Sequence, residues 1–295
     1  MAYTTLISTA ALAAEAGPDW AIVDCRFDLS NEGWGREQYL LSHIPGAVYA
    51  SLNIDLAGPR TGTNGRHPLP AVDALAATFS RLGIANTTQV VVYDQTVGLH
   101  ASRLWWSLRY LGHEAVALLD GGWARWTSEG RPVRSGEESR AAASFLPSPK
   151  PGMVTPIEDV QARMGDGRTL LVDARGPDRF EGRTEPIDKV AGHIPGARNH
   201  YYMENTGPEG TFLPPQELRA KFDKVLGDHA PGDVVMYCGS GVSACHNLLA
   251  MERAGLPGTS LYPGSWSEWS ADPSRPVETG PEQNAKGQGP KRSAT

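Results

Sequence analysis

The sequence predicts an α/β protein made of two copies of one domain, each a parallel sheet flanked by helices. Two observations support this prediction. Four separated sequence blocks occur twice in the same order. Within each copy, short apolar runs rich in β-branched residues alternate with longer segments of helix-forming residues. The length of 295 residues accommodates two domains of about 100–200 residues each.

The repeated blocks identify a tandem duplication rather than a short-period repeat. One of them, His-Ile-Pro-Gly-Ala, is identical in both copies. In the first copy the blocks occupy residues 21–26, 43–47, 90–94 and 119–126, and in the second copy residues 170–175, 193–197, 234–238 and 262–269.

The blocks and the composition between them predict the domain boundaries. We expect the first domain over residues 1–130 and the second over residues 154–275. The Pro-, Gly- and Ser-rich residues 131–153 indicate a linker. The polar residues 276–295 predict a disordered tail.

Local patterns place the elements of the first copy. Residues 6–16 predict a short strand followed by a helix capped by Ser or Thr. The segment is apolar like a secretory signal, but it lacks the basic residues with which such a signal begins. Gln89–Tyr93 is a continuous apolar run, as in a buried parallel strand. His100–Leu111 carries a helical apolar stripe, and Gly112 marks its end.

The second copy repeats this arrangement. Thr155–Glu158 has the pattern of a capping box that opens a helix. Asp233–Tyr237 predicts the buried strand and Val242–Ala254 the following helix, which Gly255 ends.

Composition excludes several classes of function. The net charge of −6 provides no basic stripe for nucleic acid, and no apolar run is long enough to span a membrane. The three cysteines, an odd and sparse set, fit a reducing cytoplasm rather than a disulfide framework. Their spacing suits no metal site, and we expect neither a metal nor an organic cofactor.

The clearest chemical signal is a cysteine between a buried strand and a helix. Cys238 is followed by Gly-Ser-Gly-Val-Ser, and its glycines allow several backbone N–H groups to converge on one point. Together with the helix N-terminus they stabilise an anion, which makes the Cys238 thiolate a candidate nucleophile. A cysteine phosphatase needs an arginine six residues after the cysteine, where this chain has Ala244. The loop therefore favours sulfur transfer through a persulfide.

These motifs together resemble the two-domain rhodanese family of sulfurtransferases. The resemblance covers roughly residues 4–275 and includes the duplicated His-Ile-Pro-Gly-Ala block, the cysteine loop and Gly264-Ser-Trp. It implies two rhodanese-like domains, of which the second carries the persulfide at Cys238. Asp94 stands at the equivalent position of the first copy and cannot hold a sulfane sulfur, so that domain is expected to be catalytically silent.

The loop also carries information about the donor. Members of the family that act on thiosulfate resemble C-R-K-G-V-T, and those that act on 3-mercaptopyruvate resemble C-G-S-G-V-T. This chain follows the second pattern with Ser243 in place of Thr. The resemblance implies that Ser240 assists the leaving enolate and that Gly239, Gly241, Val242 and Ser243 surround the transferred sulfur.

The resemblance also suggests residues that bind the donor carboxylate. Arg179 matches the family arginine for this role, which suits the two-pronged guanidinium group. A second arginine is usual about nine residues later, where this chain has Lys189, with Arg183 inserted earlier. Either Arg183 substitutes or the donor range is broader.

Three further sites are weaker candidates. The resemblance suggests His43, the histidine of the first repeated block, as a proton relay to Ser240. The Gly-rich residues 58–70, which include Arg60, Arg66 and His67, are expected to line the cleft between the domains. Cys245 is expected in the core, and a redox role for this second thiol stays open.

The predicted function is transfer of sulfur from 3-mercaptopyruvate through a Cys238 persulfide to cyanide, a thiol or thioredoxin. Thiosulfate:cyanide sulfur transfer is the alternative reaction. A non-catalytic rhodanese-like binding module is the alternative of a different class, which the intact Cys238 loop disfavours.

Overall fold

The computed structural model describes residues 2–282 and contains two all-parallel sheets, one in each half of the chain. In the first sheet the strand order is β1-β5-β4-β2-β3. Its strands are β1 (Leu6–Ile7), β2 (Ala21–Asp24), β3 (Ala47–Tyr49), β4 (Val90–Tyr93) and β5 (Val116–Leu119).

Among residues 2–282, the second sheet repeats this topology without a strand equivalent to β1. Its order is β7-β6-β8-β9, and a single parallel bridge from Val154 to Leu261 lies at the edge that β1 occupies in the first sheet. The strands are β6 (Leu170–Asp173), β7 (Arg198–Asn199), β8 (Val234–Tyr237) and β9 (Ser260–Leu261). The predicted duplication of a parallel α/β domain is confirmed.

Helices connect the strands and cover the sheets. Strands β2, β4, β6 and β8 are buried along their whole length, which explains their continuous apolar sequence. The helices are α1 (Thr9–Glu15), α2 (Trp34–Leu41), α3 (Leu52–Asp55), α4 (Val72–Arg81), α5 (Ala101–Tyr110), α6 (Gly122–Ser128), α7 (Ile157–Arg163), α8 (Pro177–Phe180), α9 (Pro215–Leu226), α10 (Ser243–Arg253) and α11 (Ser265–Trp269), with 3₁₀ turns at Tyr202–Asn205 and Pro231–Asp233.

The two domains share one hydrophobic core. Helices α5 and α10, which follow equivalent strands in the two copies, pack against each other, and buried apolar residues of both domains form a continuous cluster. Leu104, Trp105 and Leu249 are among its members. This packing sets the relative position of the two halves and so brings the ends of β4 and β8 together.

Each copy also contains a buried ion pair at the end of an interior strand, β2 in the first sheet and β6 in the second. Arg26 binds Asp24 and Arg175 binds Asp173, at N–O distances of 2.6 Å and 2.7 Å. The guanidinium groups lie over tryptophan rings of α6 and α11. These repeated aspartates and arginines therefore have a structural role in the fold.

The structure corrects two expectations from the sequence. Thr155 does not cap α7, because its hydroxyl lies 2.7 Å from Ser260 Oγ and its backbone N–H donates to Leu261. The segment is held at the sheet edge, and the helix begins at Ile157. Residues 276–282, assigned to a disordered tail, are bound to the second domain through backbone hydrogen bonds between Glu278 and His193. The rest of the expected tail lies outside the described residues.

The linker expected over residues 131–153 follows the surface of the first domain. Phe145 is buried, and its N–H donates to Ser80 of α4. No helix among residues 2–282 has the length and apolar character needed to cross a membrane.

Candidate active site

Cys238 lies directly after β8, at the carboxyl end of the second sheet. Its side chain is 2% exposed, and its N–H donates to Ser265 Oγ over 3.1 Å. Because parallel sheets bind ligands at the carboxyl ends of their strands, this is the expected position of a reactive group in an open α/β domain.

The loop after Cys238 presents a set of unused hydrogen-bond donors. Within the described part of the chain, no backbone N–H from Gly239 to Ala244 has an acceptor. Gly241 adopts φ +73°, which permits the tight turn into α10. Converging N–H groups and the helix N-terminus together favour an anion at this point.

The first copy shows what such a loop binds. The Asp94 carboxylate accepts hydrogen bonds from the N–H groups of Thr96, Gly98, His100 and Ala101, at 2.7–3.2 Å. The first domain thus fills its anion cradle with its own side chain. In the second domain the same position carries a thiol, so the cradle is available to an anion bound to Cys238.

Cys238 faces a cavity of about 330 Å³ between the two domains. Its polar lining includes Ser240 and Arg179 from the second domain and Arg66 and His67 from the first. Apolar side chains complete the wall: Phe27, Leu29, Leu52, Leu99 and Ile187. The cavity is large enough for a small organic donor, whose polar end would meet the arginines.

The histidine that contacts Ser240 is His67. Its Nδ1 lies 2.8 Å from Ser240 Oγ. Burial and the nearby Arg103 and Arg66 guanidinium groups lower the pKa of His67 to about 3. A neutral imidazole at neutral pH can therefore exchange a proton with the serine hydroxyl.

His43 occupies a different environment. Its Nδ1 lies 2.7 Å from the carbonyl of Tyr39, and its backbone pairs with Arg134. It is buried and does not line the cavity formed by the described residues. His193 of the second copy makes the equivalent contact with Phe180, so both block histidines stabilise a turn.

The Ser240–His67 pair is supported by a buried arginine. Arg103 of α5 donates to the carbonyl of Gly241 over 2.8 Å and to that of His67 over 3.3 Å. It is fully buried, and no carboxylate of the described chain pairs with it. Arg103 thus ties the cysteine loop to the first-domain loop that carries His67.

Arg179 enters the cavity from α8 and is held by two carboxylates. Glu185 binds its Nε and Nη2 at 2.7–3.1 Å, and Asp188 binds Nη2 at 3.1 Å. Arg66 of the first domain binds the other oxygen of Asp188 at 2.7 Å. Both guanidinium groups lie beside Gly239. Arg66 was not among the donor-binding residues expected from the sequence.

The two other cations proposed for the donor lie outside this cavity. Arg183 is half-exposed and pairs with Asp178 and Glu181. Lys189 is exposed, and within residues 2–282 it forms no ion pair. The structure therefore does not bring either side chain to Cys238.

Cys245 lies in the core on α10, below the cysteine loop. Its thiol is fully buried and donates to the carbonyl of Gly241 over 3.3 Å. Burial raises the pKa of Cys245 to about 12, which keeps it protonated and unreactive. No group of three or more metal-binding side chains is present among the described residues.

Comparison with known proteins places this site in a family. The family model for the rhodanese-like domain matches residues 8–129 and 156–272. A Pseudomonas aeruginosa protein named "Probable 3-mercaptopyruvate sulfurtransferase" is 44% identical over 95% of this chain and 100% of its own length. The thiosulfate sulfurtransferase of Bos taurus is 33% identical over 90% of this chain and 92% of its own.

Solved structures share the architecture. The 3-mercaptopyruvate sulfurtransferase from Leishmania major superposes with a TM-score of 0.80 at 29% identity. The match covers 90% of this chain and 74% of that one. The similarity therefore extends over both domains.

Proposed function

Because this chain belongs to the rhodanese family, we propose that it is a sulfurtransferase that accepts sulfur from 3-mercaptopyruvate as a persulfide on Cys238. The observation that carries the proposal is the loop after Cys238, whose N–H groups from Gly239 to Ala244 have no acceptor within the described chain. A terminal persulfide sulfur is an anion of suitable size for this cradle. The equivalent loop already holds the Asp94 carboxylate in the first domain.

In the first half-reaction, the Cys238 thiolate attacks the donor sulfur. A sulfur–sulfur bond forms and the carbon–sulfur bond of the donor breaks. The electron pair of that bond stays on carbon as the enolate of pyruvate. The proton carried by the donor sulfur is transferred to this enolate, which leaves Cys238 as an anionic persulfide.

Ser240 and His67 provide a route for that proton. The hydroxyl of Ser240 lines the cavity beside Cys238, and His67 lies 2.8 Å behind it. Ser240 donates its hydroxyl proton to the enolate and takes up the proton that the transferred sulfur gives up, while the neutral imidazole of His67 holds the hydroxyl in position through Nδ1 and is unchanged at the end of the step. This assignment gives the relay to His67 rather than to His43.

Arg179 binds the donor carboxylate. Its Nε and Nη2 are occupied by Glu185 and Asp188, whereas its Nη1 has no acceptor in the described chain. The Nη1 group lies 3.6 Å from the position that a Cβ atom on Gly239 would occupy, and Gly239 is the residue directly after Cys238. A charge-assisted hydrogen bond there orients the donor for attack.

In the second half-reaction, a thiophilic acceptor attacks the outer persulfide sulfur. Cyanide takes it as thiocyanate, and a thiol or thioredoxin takes it as a new persulfide. The Cys238 thiolate is regenerated. All three cysteines are free, which suits the reducing cytoplasm that we propose as the site of action.

Thiosulfate is the alternative donor, favoured by the similarity to a thiosulfate sulfurtransferase. The test compares thiocyanate formation from 3-mercaptopyruvate and from thiosulfate, for the wild type and Cys238→Ser. The proposal expects the larger kcat/KM with 3-mercaptopyruvate and no turnover by the serine variant. A larger kcat/KM with thiosulfate would overturn the donor assignment, and turnover by Cys238→Ser would overturn the persulfide route.

Two outcomes would indicate another class of protein. Absence of turnover by a correctly folded wild-type protein with both donors would favour a binding module. Hydrolysis of an aryl phosphate would favour a cysteine phosphatase.

A further inference from the structure

Helix α5 of the first domain and helix α10 of the second each carry a side chain that crosses the domain boundary. Arg103 and His246 lie at equivalent positions, nine residues before the glycine that follows each helix. Arg103 Nη1 donates to the carbonyl of Gly241 over 2.8 Å, and His246 Nε2 lies 3.0 Å from the carbonyl of Val97. Each helix thus holds the strand-to-helix loop of the other copy.

The two contacts differ in charge. His246 Nδ1 lies 3.1 Å from the amide nitrogen of Asn205, so its Nε2 carries the proton that binds the Val97 carbonyl. Burial lowers the pKa of His246 to about 4, which leaves this ring neutral at neutral pH. Arg103 carries a permanent positive charge. The loop that contains Cys238 is therefore the one held by a cation.

Arg103 has no counter-ion among residues 2–282. It is fully buried, and its terminal nitrogens bind the backbone carbonyls of Gly241 and His67. After burial, its charge is the main cause of the lowered pKa of His67, so its positive potential reaches the active site. A buried cation without a paired anion is costly. An anion bound beside Cys238 offsets that cost.

The contact with Arg103 also sets the direction of one N–H group in the loop. In a trans peptide the C=O and the N–H point in opposite directions. The Gly241 carbonyl points to Arg103, which is not among the residues that line the cavity in the described chain. The N–H of Val242 therefore points to the opposite side of the loop, where Val242 and Cys238 line the cavity.

Close packing fixes the guanidinium group beneath the loop. A side chain on Gly241 would begin 3.1 Å from Arg103 Nη1, so the arginine fits because residue 241 has none. The thiol of Cys245 donates to the same Gly241 carbonyl over 3.3 Å. Two donors on one carbonyl polarise the peptide and strengthen its N–H as a hydrogen-bond donor.

We propose that Arg103 is a positioning residue for the persulfide of Cys238. It directs the Val242 N–H to the outer sulfur, and its charge balances the persulfide anion from the far side of the loop. Arg103 acts through the loop and does not touch the donor. This inference rests on the proposed persulfide route and adds a first-domain residue to it.

The test uses protein loaded with inorganic polysulfide, so it does not depend on the identity of the natural donor. The Cys238 thiolate attacks the terminal sulfur of the polysulfide. One sulfur–sulfur bond forms, another breaks, and the polysulfide leaves with the electron pair, shorter by one sulfur. Cyanide then releases the loaded sulfur as thiocyanate, which measures loading. Equal loading of the wild type and Cys238→Ser would overturn the persulfide route itself, and this inference with it.

The ionisation of the loaded persulfide is then titrated through its near-ultraviolet absorbance, measured against unloaded protein. Arg103→Gln removes the charge but keeps a donor for the Gly241 carbonyl, and its midpoint should rise by about one pH unit or more. Arg103→Lys keeps the charge, and its midpoint should stay closer to that of the wild type. Equal midpoints for the wild type and Arg103→Gln would overturn the proposal while the persulfide route stands.

Arg109→Gln is the matched control. Arg109 lies on the same helix and binds Glu252 of α10 over 2.9 Å, so it joins the same two helices. It is not among the cavity-lining residues of the described chain. Its midpoint should equal that of the wild type. A rise as large as that in Arg103→Gln would show that weakened docking is the cause and would overturn the proposal.

A measurement on the wild type keeps the proposal testable if Arg103→Gln does not fold. Nuclear magnetic resonance spectra of protein labelled with ¹⁵N-valine are compared before and after loading, and Val242→Ile identifies the Val242 signal. The Val242 amide proton should shift downfield on loading, because it donates to the outer sulfur. The Val97 amide of the first-domain loop should not shift. An unchanged Val242 signal in loaded protein would overturn the proposal.

Discussion

His67 Nδ1 lies 2.8 Å from Ser240 Oγ, although the two residues are 173 positions apart and belong to different domains. Arg103, on α5, donates to the backbone on both sides of this contact. The Ser240–His67 pair therefore exists only when the two domains are docked. The first domain therefore lines part of the cavity that Cys238 faces.

The first prediction concerns the proton relay. Replacement of His67 by Gln should lower kcat with 3-mercaptopyruvate by about 10²-fold, the usual contribution of general acid–base catalysis. Release of sulfur from the preloaded persulfide to cyanide should change little, because that step protonates no enolate. A steady-state assay with 3-mercaptopyruvate checks the effect on kcat, and a single-turnover assay with cyanide checks release of sulfur from the persulfide.

His229→Gln is the control for this experiment. His229 binds the carbonyl of Arg168 and does not line the cavity. A large loss of kcat in His43→Gln, with a normal unfolding midpoint and full activity in His67→Gln, would return the relay to His43.

The second prediction concerns the pH dependence of the rate. The pKa of His67 is lowered to about 3, so its imidazole stays neutral at every pH above roughly 4. No inflection from His67 should therefore appear in kcat between pH 5 and 7.5. A loss of activity near pH 6.5 that disappears in His67→Gln would contradict this assignment.

The third prediction follows from the lowered pKa of His67 and concerns the stability of the folded protein. The folded protein leaves His67 neutral down to about pH 3, whereas the unfolded chain binds a proton near pH 6.5. The free energy of unfolding should therefore decrease as the pH falls below about 6.5. His246, whose pKa burial lowers to about 4, adds to this effect. Urea unfolding at pH 7, 6 and 5 measures the slope.

His67→Gln isolates the contribution of one histidine. The variant should lose less stability between pH 7 and pH 5 than the wild type does. Identical pH dependence of the two proteins would contradict the lowered pKa.

The fourth prediction concerns the anion cradle of the first domain. Asp94→Ala removes the acceptor of four backbone N–H groups in a partly buried loop. We expect it to lower the free energy of unfolding by about 3 kcal/mol, the cost of leaving such groups unpaired. Asp94→Asn, which keeps one acceptor oxygen, should cost less.

Asp19→Ala serves as the control for Asp94→Ala, because Asp19 is exposed. It should change stability by less than about 0.5 kcal/mol. Denaturant unfolding checks all three variants. Equal stability of Asp94→Ala and Asp19→Ala would show that the carboxylate does not hold the loop.

The fifth prediction concerns the backbone of the cysteine loop. Gly241 has φ +73°, and a side chain there would begin 2.4 Å from the carbonyl oxygen of Pro263. Gly241→Ala should lower stability by about 1–3 kcal/mol and lower kcat, because the N–H groups of the loop lose their alignment. Unfolding and steady-state assays check both effects.

Gly232→Ala is the matched control in the same domain. A side chain on Gly232 would meet no atom within 4 Å. The activity and stability of Gly232→Ala should therefore equal those of the wild type. Full activity in Gly241→Ala would contradict the proposed role of the loop N–H groups.

The local sequence was sufficient to predict the duplicated fold and the position of Cys238. Continuous apolar runs indicated β4 and β8, because strands covered on both faces need no polar residues. Two glycines after a strand and before a helix indicated the loop whose N–H groups have no acceptor among residues 2–282. The capping box at Thr155 failed because the residue makes its hydrogen bonds with β9, a contact that no local pattern reveals.

Only the tertiary structure decided which histidine and which second arginine reach Cys238. His43 belongs to a repeated block, but that repetition reflects a turn that both domains need. His67 and Arg66 lie in an irregular loop without periodicity, and their partners Ser240 and Asp188 are far away in the sequence. Packing of α5 against α10 brings these loops together, so their pairing follows from domain docking. Backbone propensity and hydrophobic pattern act over a few residues, whereas side-chain contacts across an interface depend on how whole domains fit.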